Sequence, residues 1–417
     1  MGSLRAKGRS PRICEFTVIP HHEGAFMRIA VAKEIEAGER RVALVPDIAG
    51  RLVKQGLEVW IEAGAGDLAC FSDAAYEAVG ATIIHDTQAL WREADVVLKV
   101  NPPRIWDGGA SEADALRSGA TLIGFLSPLA NPLLTQRLAE RQVTAFSMEL
   151  IPRTSRAQSM DALSSQAGVA GYKAALIAAA ALPKFFPMLT TAAGTIRPAK
   201  VFVIGAGVAG LQAIATVRRL GAVVEAFDIR PAVKEEVQSL GARFVEVTLP
   251  EDTVAAGGYA KEISEASKER SREVIAEHVR QSDVVITTAQ VPGRQAPLLV
   301  TEDMVAQMQA GSVVVDLAAD QGGNCAYSEP GQEVVRHGVT IIGPTNLPAS
   351  MAIHSSQMYA KNISTLLLHL LKDGALNLNF EDDIVDSACL THQGEVRNSR
   401  VKEAIAQLTP QMMERSY

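Results

Sequence analysis

Short apolar runs recur along the chain at intervals of roughly one helix, and their order predicts the fold before any single residue does. Residues 27–33 form the first run and 41–45 the next, after a charged turn, and Pro46 then stands where a helix favours proline as its first residue. Runs at 57–61, 81–84, 96–100, 120–125 and 144–147 follow, separated by polar stretches of helical length. A second series begins at 200–204 and continues at 223–227, 243–247, 284–287, 313–317 and 340–342. Apolar runs alternating with helical patterns feed a parallel sheet covered on both faces. The prediction is an α/β protein of two Rossmann-like, doubly wound parallel-sheet domains, joined by long helices with a cleft between them.

An Ala-rich stretch within 153–194 would supply one connecting helix and residues near 355–372 the other. A chain threaded out and back through two helices makes a hinged cleft. The expected units are therefore 27–160 together with 355–417, and 161–354. Residues 1–26 are expected to be an extension without regular structure, with structure beginning at Met27.

Composition narrows the function classes. The 417 residues exceed one compact core, which agrees with two domains. A formal net charge of -7 argues against a nucleic-acid binder, which needs a basic face. Cysteines 14, 70, 325 and 389 stand singly, so neither a metal knuckle nor a disulfide framework is indicated, and a reducing cytoplasm fits. No run approaches the roughly 20 apolar residues of a membrane span; the stretch 174–182 ends at Pro183 and Lys184 and suits a buried helix. Arg5, Lys7, Arg9 and Arg12 precede no continuous apolar segment, so no secretory signal is expected.

The chemistry begins at Gly205, Ala206, Gly207, Val208 and Gly210, a G-x-G-x-x-G set between the run 201–204 and a helix-forming run. Gly205 permits the tight turn, Gly207 lets backbone approach a pyrophosphate, and Gly210 lets helix and strand pack closely, while the helix start offers N–H groups to the anion. Asp228 ends the next strand, where a carboxylate receives ribose hydroxyls and repels a 2′-phosphate; Ile229 and Arg230 follow it. Arg230 could in principle welcome that phosphate, but the acid favours NAD(H). Thr288, Ala289 and Gln290 leave another strand at the carboxyl edge, where they would line a nucleotide or form an ordinary strand exit. A bare G-x-G-x-x-G can also be a turn that binds nothing; strand, helix and terminal acid together speak for the nucleotide.

The stretch 152–166, with Arg153, Gln158, Asp161 and Ser164, resembles the Arg-Gln-Asp loop of the NAD(H)-binding subunits of proton-translocating transhydrogenases, in the alanine dehydrogenase/transhydrogenase family. The resemblance extends through residues 33–46, the Gly205 region, a loop at 255–262 and residues 316–324, and so covers nearly everything from Met27 onward. It implies that Arg153, Gln158, Asp161 and Ser164 reach the nicotinamide end of NAD(H), that Asp228 holds the adenosine ribose, and that Tyr259, flanked by Gly257 and Gly258, closes over the nucleotide. An Arg, an amide and two small polar groups can fix a ring without exchanging a proton with it, which suits hydride transfer between two nucleotides. The bland alternative is a helix N-cap, with Ser155 or Asp161 satisfying backbone donors; for Tyr259 it is a flexible surface tip. The resemblance further implies NADP(H) on a partner subunit, a separate membrane-spanning proton-channel subunit, a homodimer, and a peripheral position on the cytoplasmic side of a bacterial inner membrane.

Alanine dehydrogenases share the opening Lys33, Glu34 and Arg41 elements and a strand-end lysine, matched by Lys99. They oxidise an amino acid, which needs a base, and carry a His in the stretch that here contains Ser127 and Pro128. Of the eight His, 21 and 22 lie in the extension, 278, 337, 354, 369 and 392 are expected in helices or near the C-terminus, and His85 follows a strand of the first series, where such a residue is usually solvated. Lys99 and Arg41 are then expected to be structural ion-pair or strand-end groups. A regulatory protein that binds NAD without turnover is the remaining alternative, although it would have no reason to orient the reactive ring.

Overall fold

The computed structural model describes residues 17–18, 27–247, 264–291 and 294–407. A short strand β1 (Thr17–Val18) precedes the first series: β2 (Arg28–Val31), β3 (Glu58–Glu62), β4 (Thr82–Ile84), β5 (Val96–Leu98), β6 (Thr121–Gly124) and β7 (Thr144–Ser147). A hairpin of β8 (Leu189–Thr191) and β9 (Gly194–Ile196) leads to the second: β10 (Lys200–Ile204), β11 (Val223–Phe227), β12 (Arg243–Val245), β13 (Val284–Thr287), β14 (Val313–Asp316), β15 (Glu333–Arg336) and β16 (Val339–Ile342). Two final hairpins are β17 (Leu371–Lys372) with β18 (Ala375–Leu378), and β19 (Cys389–His392) with β20 (Glu395–Val396).

The first sheet has the order β20-β19-β7-β6-β5-β2-β3-β4 and the second β12-β11-β10-β13-β14-β16-β15. Pairing is parallel except where β19, β20 and β15 join. Side chains alternate across the strands: Val201 and Val203 enter one core, while Phe202 and Ile204 enter another. Val96 and Leu98 are likewise separated from Val97. Each sheet is therefore sealed on both faces, with about 1.5–3 kcal/mol for each large apolar side chain removed from water. That is the doubly wound arrangement the runs predicted.

Helix Ala162–Ala181 crosses between the series and helix Ala352–His369 leaves the second. The first lies directly on helix Val208–Arg219: a Cβ at Gly171 would stand 2.0 Å from the Ala209 carbonyl oxygen. The return of the chain puts β19 against β7, antiparallel.

Three local expectations need correction. The run 41–45 is buried but forms no strand, because the Val42 N–H donates to Ser356 Oγ at 3.0 Å instead of entering a ladder. The extension is not wholly without structure: β1 pairs antiparallel with β18, whose outer edge would otherwise be unpaired. His337, expected in a helix or near the C-terminus, sits between β15 and β16 with φ +52°. No helix among the described residues is long and apolar enough to cross a membrane.

Candidate functional site

In the second sheet the chain runs outward from β10 through β11 to β12, then restarts on the other side of β10 with β13. Ligands in open α/β sheets bind at the carboxyl ends flanking such a reversal. Here those ends carry Gly205 and Thr288. Gly205 has φ +97°, and a Cβ there would stand 2.6 Å from Thr288 Oγ1. The same hydroxyl donates to the Gly205 carbonyl at 3.1 Å. A Cβ on Gly210 would lie 1.9 Å from that carbonyl, so both glycines are demanded by the protein itself.

Gly207 is different. It caps the helix with φ -77°, and a Cβ would meet nothing nearer than the Arg230 guanidinium, 3.9 Å away. Side-chain space is left at the helix start, with no side-chain cap on its N–H groups. A phosphate of a dinucleotide fits this cradle by charge and by room. Exposed Val208 begins the helix.

Asp228 is buried at the end of β11. Its Oδ2 accepts from Ala206 N–H at 2.8 Å and Arg230 Nη2 at 2.7 Å, and its Oδ1 from Arg230 N–H and Nε, both at 2.9 Å. The hydrogen bonds that Arg230 donates to Asp228 hold its guanidinium pKa above its ordinary value. Ile229, half-buried, packs toward the core on the far face. Ala289 is fixed through both backbone groups: its N–H donates to Asn324 Oδ1 at 3.0 Å, and its carbonyl accepts from Asn324 Nδ2 at 2.9 Å. Exposed Gln290 donates to the Leu317 carbonyl at 2.7 Å.

Asn324 is a residue that sequence reasoning did not single out, and so is Asp316. The buried Asp316 carboxylate accepts from Thr287 Oγ1, from the N–H groups of Ala318, Asn324 and Cys325, and from Ser328 Oγ. A carboxylate closing β14 was the available signal. Its role is to hold the strand exits beside the glycine turn.

The 153–164 segment forms a second group. Arg153 and Gln158 are exposed, Gln158 within the 3-10 turn Ser155–Met160. Asp161 caps helix Ala162–Ala181: Oδ1 accepts from Ser164 N–H at 2.8 Å and Oδ2 from Ser164 Oγ at 2.5 Å. The bland reading of Asp161 as a cap is thus realised, a bond pattern usually adding about 1 kcal/mol. Asn362, 7% exposed, braces this segment from helix Ala352–His369. Its Nδ2 donates to the Ser159 carbonyl at 2.8 Å, and its Oδ1 accepts from Ser165 Oγ at 2.7 Å. Arg156 pairs with Asp382 and Asp383. The two groups share no hydrogen bond among those described; helix Ala162–Ala181 joins them, its start about 14 Å from the Gly171–Ala209 contact at 1.5 Å per residue. Gly257, Gly258 and Tyr259 lie outside the described residues.

The first sheet has a reversal of its own, between β2 and β5. There Lys99, fully buried, donates to Glu112 at 2.9 and 3.0 Å and lies 3.6 Å from Glu34. Burial raises the pKa of both carboxylates, although Lys99 opposes it; burial works against the ammonium, but Glu34 and Glu112 hold the Lys99 pKa above its ordinary value. Beside them Arg41 pairs with Glu39 at 2.7 Å and donates to Gln166 at 2.9 Å. Burial alone would raise the Glu39 pKa, yet its bonds to Arg41 lower it to about 2. A small recess beside Lys33, Glu34, Glu39 and Arg41 has room for about one water. Ser127, at φ +47°, donates its N–H to the half-buried Glu149, whose other oxygen accepts from Leu126 N–H and Ser147 Oγ. His85 is exposed after β4, an edge strand.

Residues 30–170 match the alanine dehydrogenase/PNT N-terminal domain and residues 174–399 the alanine dehydrogenase/PNT C-terminal domain. A Rhodospirillum rubrum protein, named as the first portion of NAD(P) transhydrogenase subunit alpha, is 46% identical over 374 residues, covering 89% of this chain and 97% of its own. Alanine dehydrogenase of Halomonas elongata is 33% identical, covering 91% and 96%. Among solved structures, a transhydrogenase from Sinorhizobium meliloti superposes with a TM-score of 0.77 at 42% identity, covering 89% of this chain and 99% of that one. An L-alanine dehydrogenase superposes with a TM-score of 0.76 at 26% identity, covering 92% and 100%.

Proposed function

The chain belongs to the alanine dehydrogenase/PNT family, and on that premise we propose that it is the NAD(H)-binding component of a proton-translocating transhydrogenase, exchanging hydride with NADP(H) on a partner subunit. One observation carries the choice within the family. At the reversal of the first sheet Lys99 is held between Glu34 and Glu112, whereas the reversal of the second keeps its glycine turn with side-chain space at Gly207. A strand-end lysine locked between two carboxylates, with Ser127 and Pro128 where alanine dehydrogenases carry a His, supports a second nucleotide rather than an amino acid as the other reactant.

When bound, NAD(H) supplies or accepts the hydride at its nicotinamide ring. Residues 161–354 form the nucleotide-binding domain in this reading, with 27–160 and 355–417 forming the other. Gly205, Ala206, Gly207, Val208 and Gly210 hold the pyrophosphate through backbone groups; Asp228 and Ile229 hold the adenosine end, with Arg230 beside them; and Thr288, Ala289 and Gln290 line the path between. Arg153 and Gln158, both exposed, reach the ring, while Asp161 and Ser164 fix the helix start from which they project. Gly258 and Tyr259 cover the nucleotide and exclude water. None of these groups has to take up a proton, since rate enhancement comes from alignment.

Proton movement belongs to a membrane-spanning partner, and the chain sits peripherally on the cytoplasmic face of the membrane. Exposed Phe185, Met188 and Ile196, in and just before the β8–β9 hairpin, support a homodimer through that face. The test mixes the purified chain with the purified NADP(H)-binding component and follows hydride exchange from NADPH to an NAD analogue. Exchange is expected, and Gln158→Ala should lower it at least about tenfold while NADH binding stays within about threefold, the mark of lost alignment. No exchange in the mixture, with L-alanine reducing NAD, would overturn the assignment.

A further inference from the structure

Asp228 has no acceptor left for a ribose. An ionised carboxylate offers about four lone-pair sites, and four donors fill them: Ala206 N–H, Arg230 N–H, Arg230 Nε and Arg230 Nη2. The two backbone donors belong to the turn and to the strand exit and cannot leave without unmaking them. The guanidinium can leave, because it reaches Asp228 through its own fork, one donor on each carboxylate oxygen, and is partly exposed. Two donors side by side are also what the vicinal hydroxyls of an adenosine ribose present.

We propose that Arg230 is a specificity-determining residue that stands in for the ribose: it fills Asp228 while the site is free, is displaced by the hydroxyls of NAD(H), and is kept by Asp228 from serving as a 2′-phosphate site. The position of the guanidinium agrees. Nη2 lies 3.9 Å from the place of a Cβ on Gly207, so a small swing leaves the positive charge between the phosphate turn and the ribose edge. Asp228 discriminates in two ways, by repelling a 2′-phosphate and by occupying the cation beside it. The inference rests on Asp228 and the glycine turn being the adenosine-binding end of the site.

The experiment measures NADH and NADPH dissociation constants by nucleotide fluorescence for wild type, Arg230→Met, Asp228→Asn and the double variant, with thermal melting of the free proteins as a check on folding. Arg230→Met should bind NADH more tightly by a few-fold, since the competitor is gone, and NADPH no better than wild type. Asp228→Asn should weaken NADH and strengthen NADPH at least about tenfold, the scale of one charge-assisted hydrogen bond. The double variant should lose that gain. NADH weakened by Arg230→Met, or the same NADPH affinity in Asp228→Asn with and without Arg230, would overturn the proposal. Wild type that binds neither nucleotide would instead overturn the cofactor reading on which it rests.

Discussion

Replacing Lys99 with Met tests whether the first crevice is held by charge. The side chain is fully buried, with its ammonium 2.9 Å from Glu112 and 3.6 Å from Glu34, and Met keeps the apolar stem while deleting the charge. Two buried carboxylates then lose their common counter-ion. Breaking a buried pair in this way costs about 3–5 kcal/mol, a large share of the stability of an ordinary domain. The pH dependence follows from direction alone. Burial already makes Glu34 and Glu112 hold protons more tightly in the folded chain than in the unfolded one, so their contribution favours folding at low pH and fades as pH rises through the folded pKa. Lys99, raised by the same two carboxylates, favours folding below its unfolded pKa and loses that effect only at alkaline pH. Without Lys99 the carboxylates bind protons more tightly still. The loss should therefore be largest near pH 8 and shrink toward pH 5, as protonation neutralises them. The assay is urea unfolding followed by tryptophan fluorescence. The chain's three tryptophans, 60, 91 and 106, all belong to the layers around the first sheet, so the signal reports on that unit. Midpoints rather than amplitudes are compared, because Lys99 lies 5.5 Å from the Trp91 ring centroid. A loss below about 1 kcal/mol at pH 8, or an equal loss at both pH values, would refute the argument that an unpaired buried charge is costly here.

Two glycine substitutions should separate what the fold needs from what the nucleotide needs. Gly207→Ala places a Cβ in open space at an ordinary φ, so the free protein should melt within about 0.5 kcal/mol of wild type while NADH binding falls at least about tenfold. Gly210→Ala drives a Cβ to 1.9 Å from the Gly205 carbonyl and should cost about 3 kcal/mol without any ligand; equal melting of the two variants would contradict this division. Asn362→Leu removes the bonds to Ser159 and Ser165, and urea unfolding should show a loss of about 1–3 kcal/mol. Hydride exchange with the partner component should fall more than NADH affinity does, and an unchanged ratio of the two would mean that the brace has no part in alignment.

Much of the architecture was written locally. Continuous apolar runs at β10 and β5, glycines where a Cβ has no room and Pro46 at a helix start are features of a few neighbouring residues, so the chain alone specified two doubly wound sheets and a dinucleotide turn. The added edges, β1 beside β18 and β15 beside β16, carried no comparable signal, because short edge strands are fixed by whichever partner lies next to them. Distance in sequence also hid the partners that decide chemistry. Lys99 could be placed at a strand end, but only the sheet order brings Glu34 and Glu112 onto it, and only a helix packed from far along the chain lays Asn362 across Ser159 and Ser165. Asp228 was legible as a ribose acceptor, whereas its filling by Arg230 was not, since which donor a carboxylate takes depends on side-chain geometry rather than on spacing. Local pattern thus determined where a nucleotide can be cradled, and tertiary packing decided which neighbouring charges are neutralised and which remain available to it.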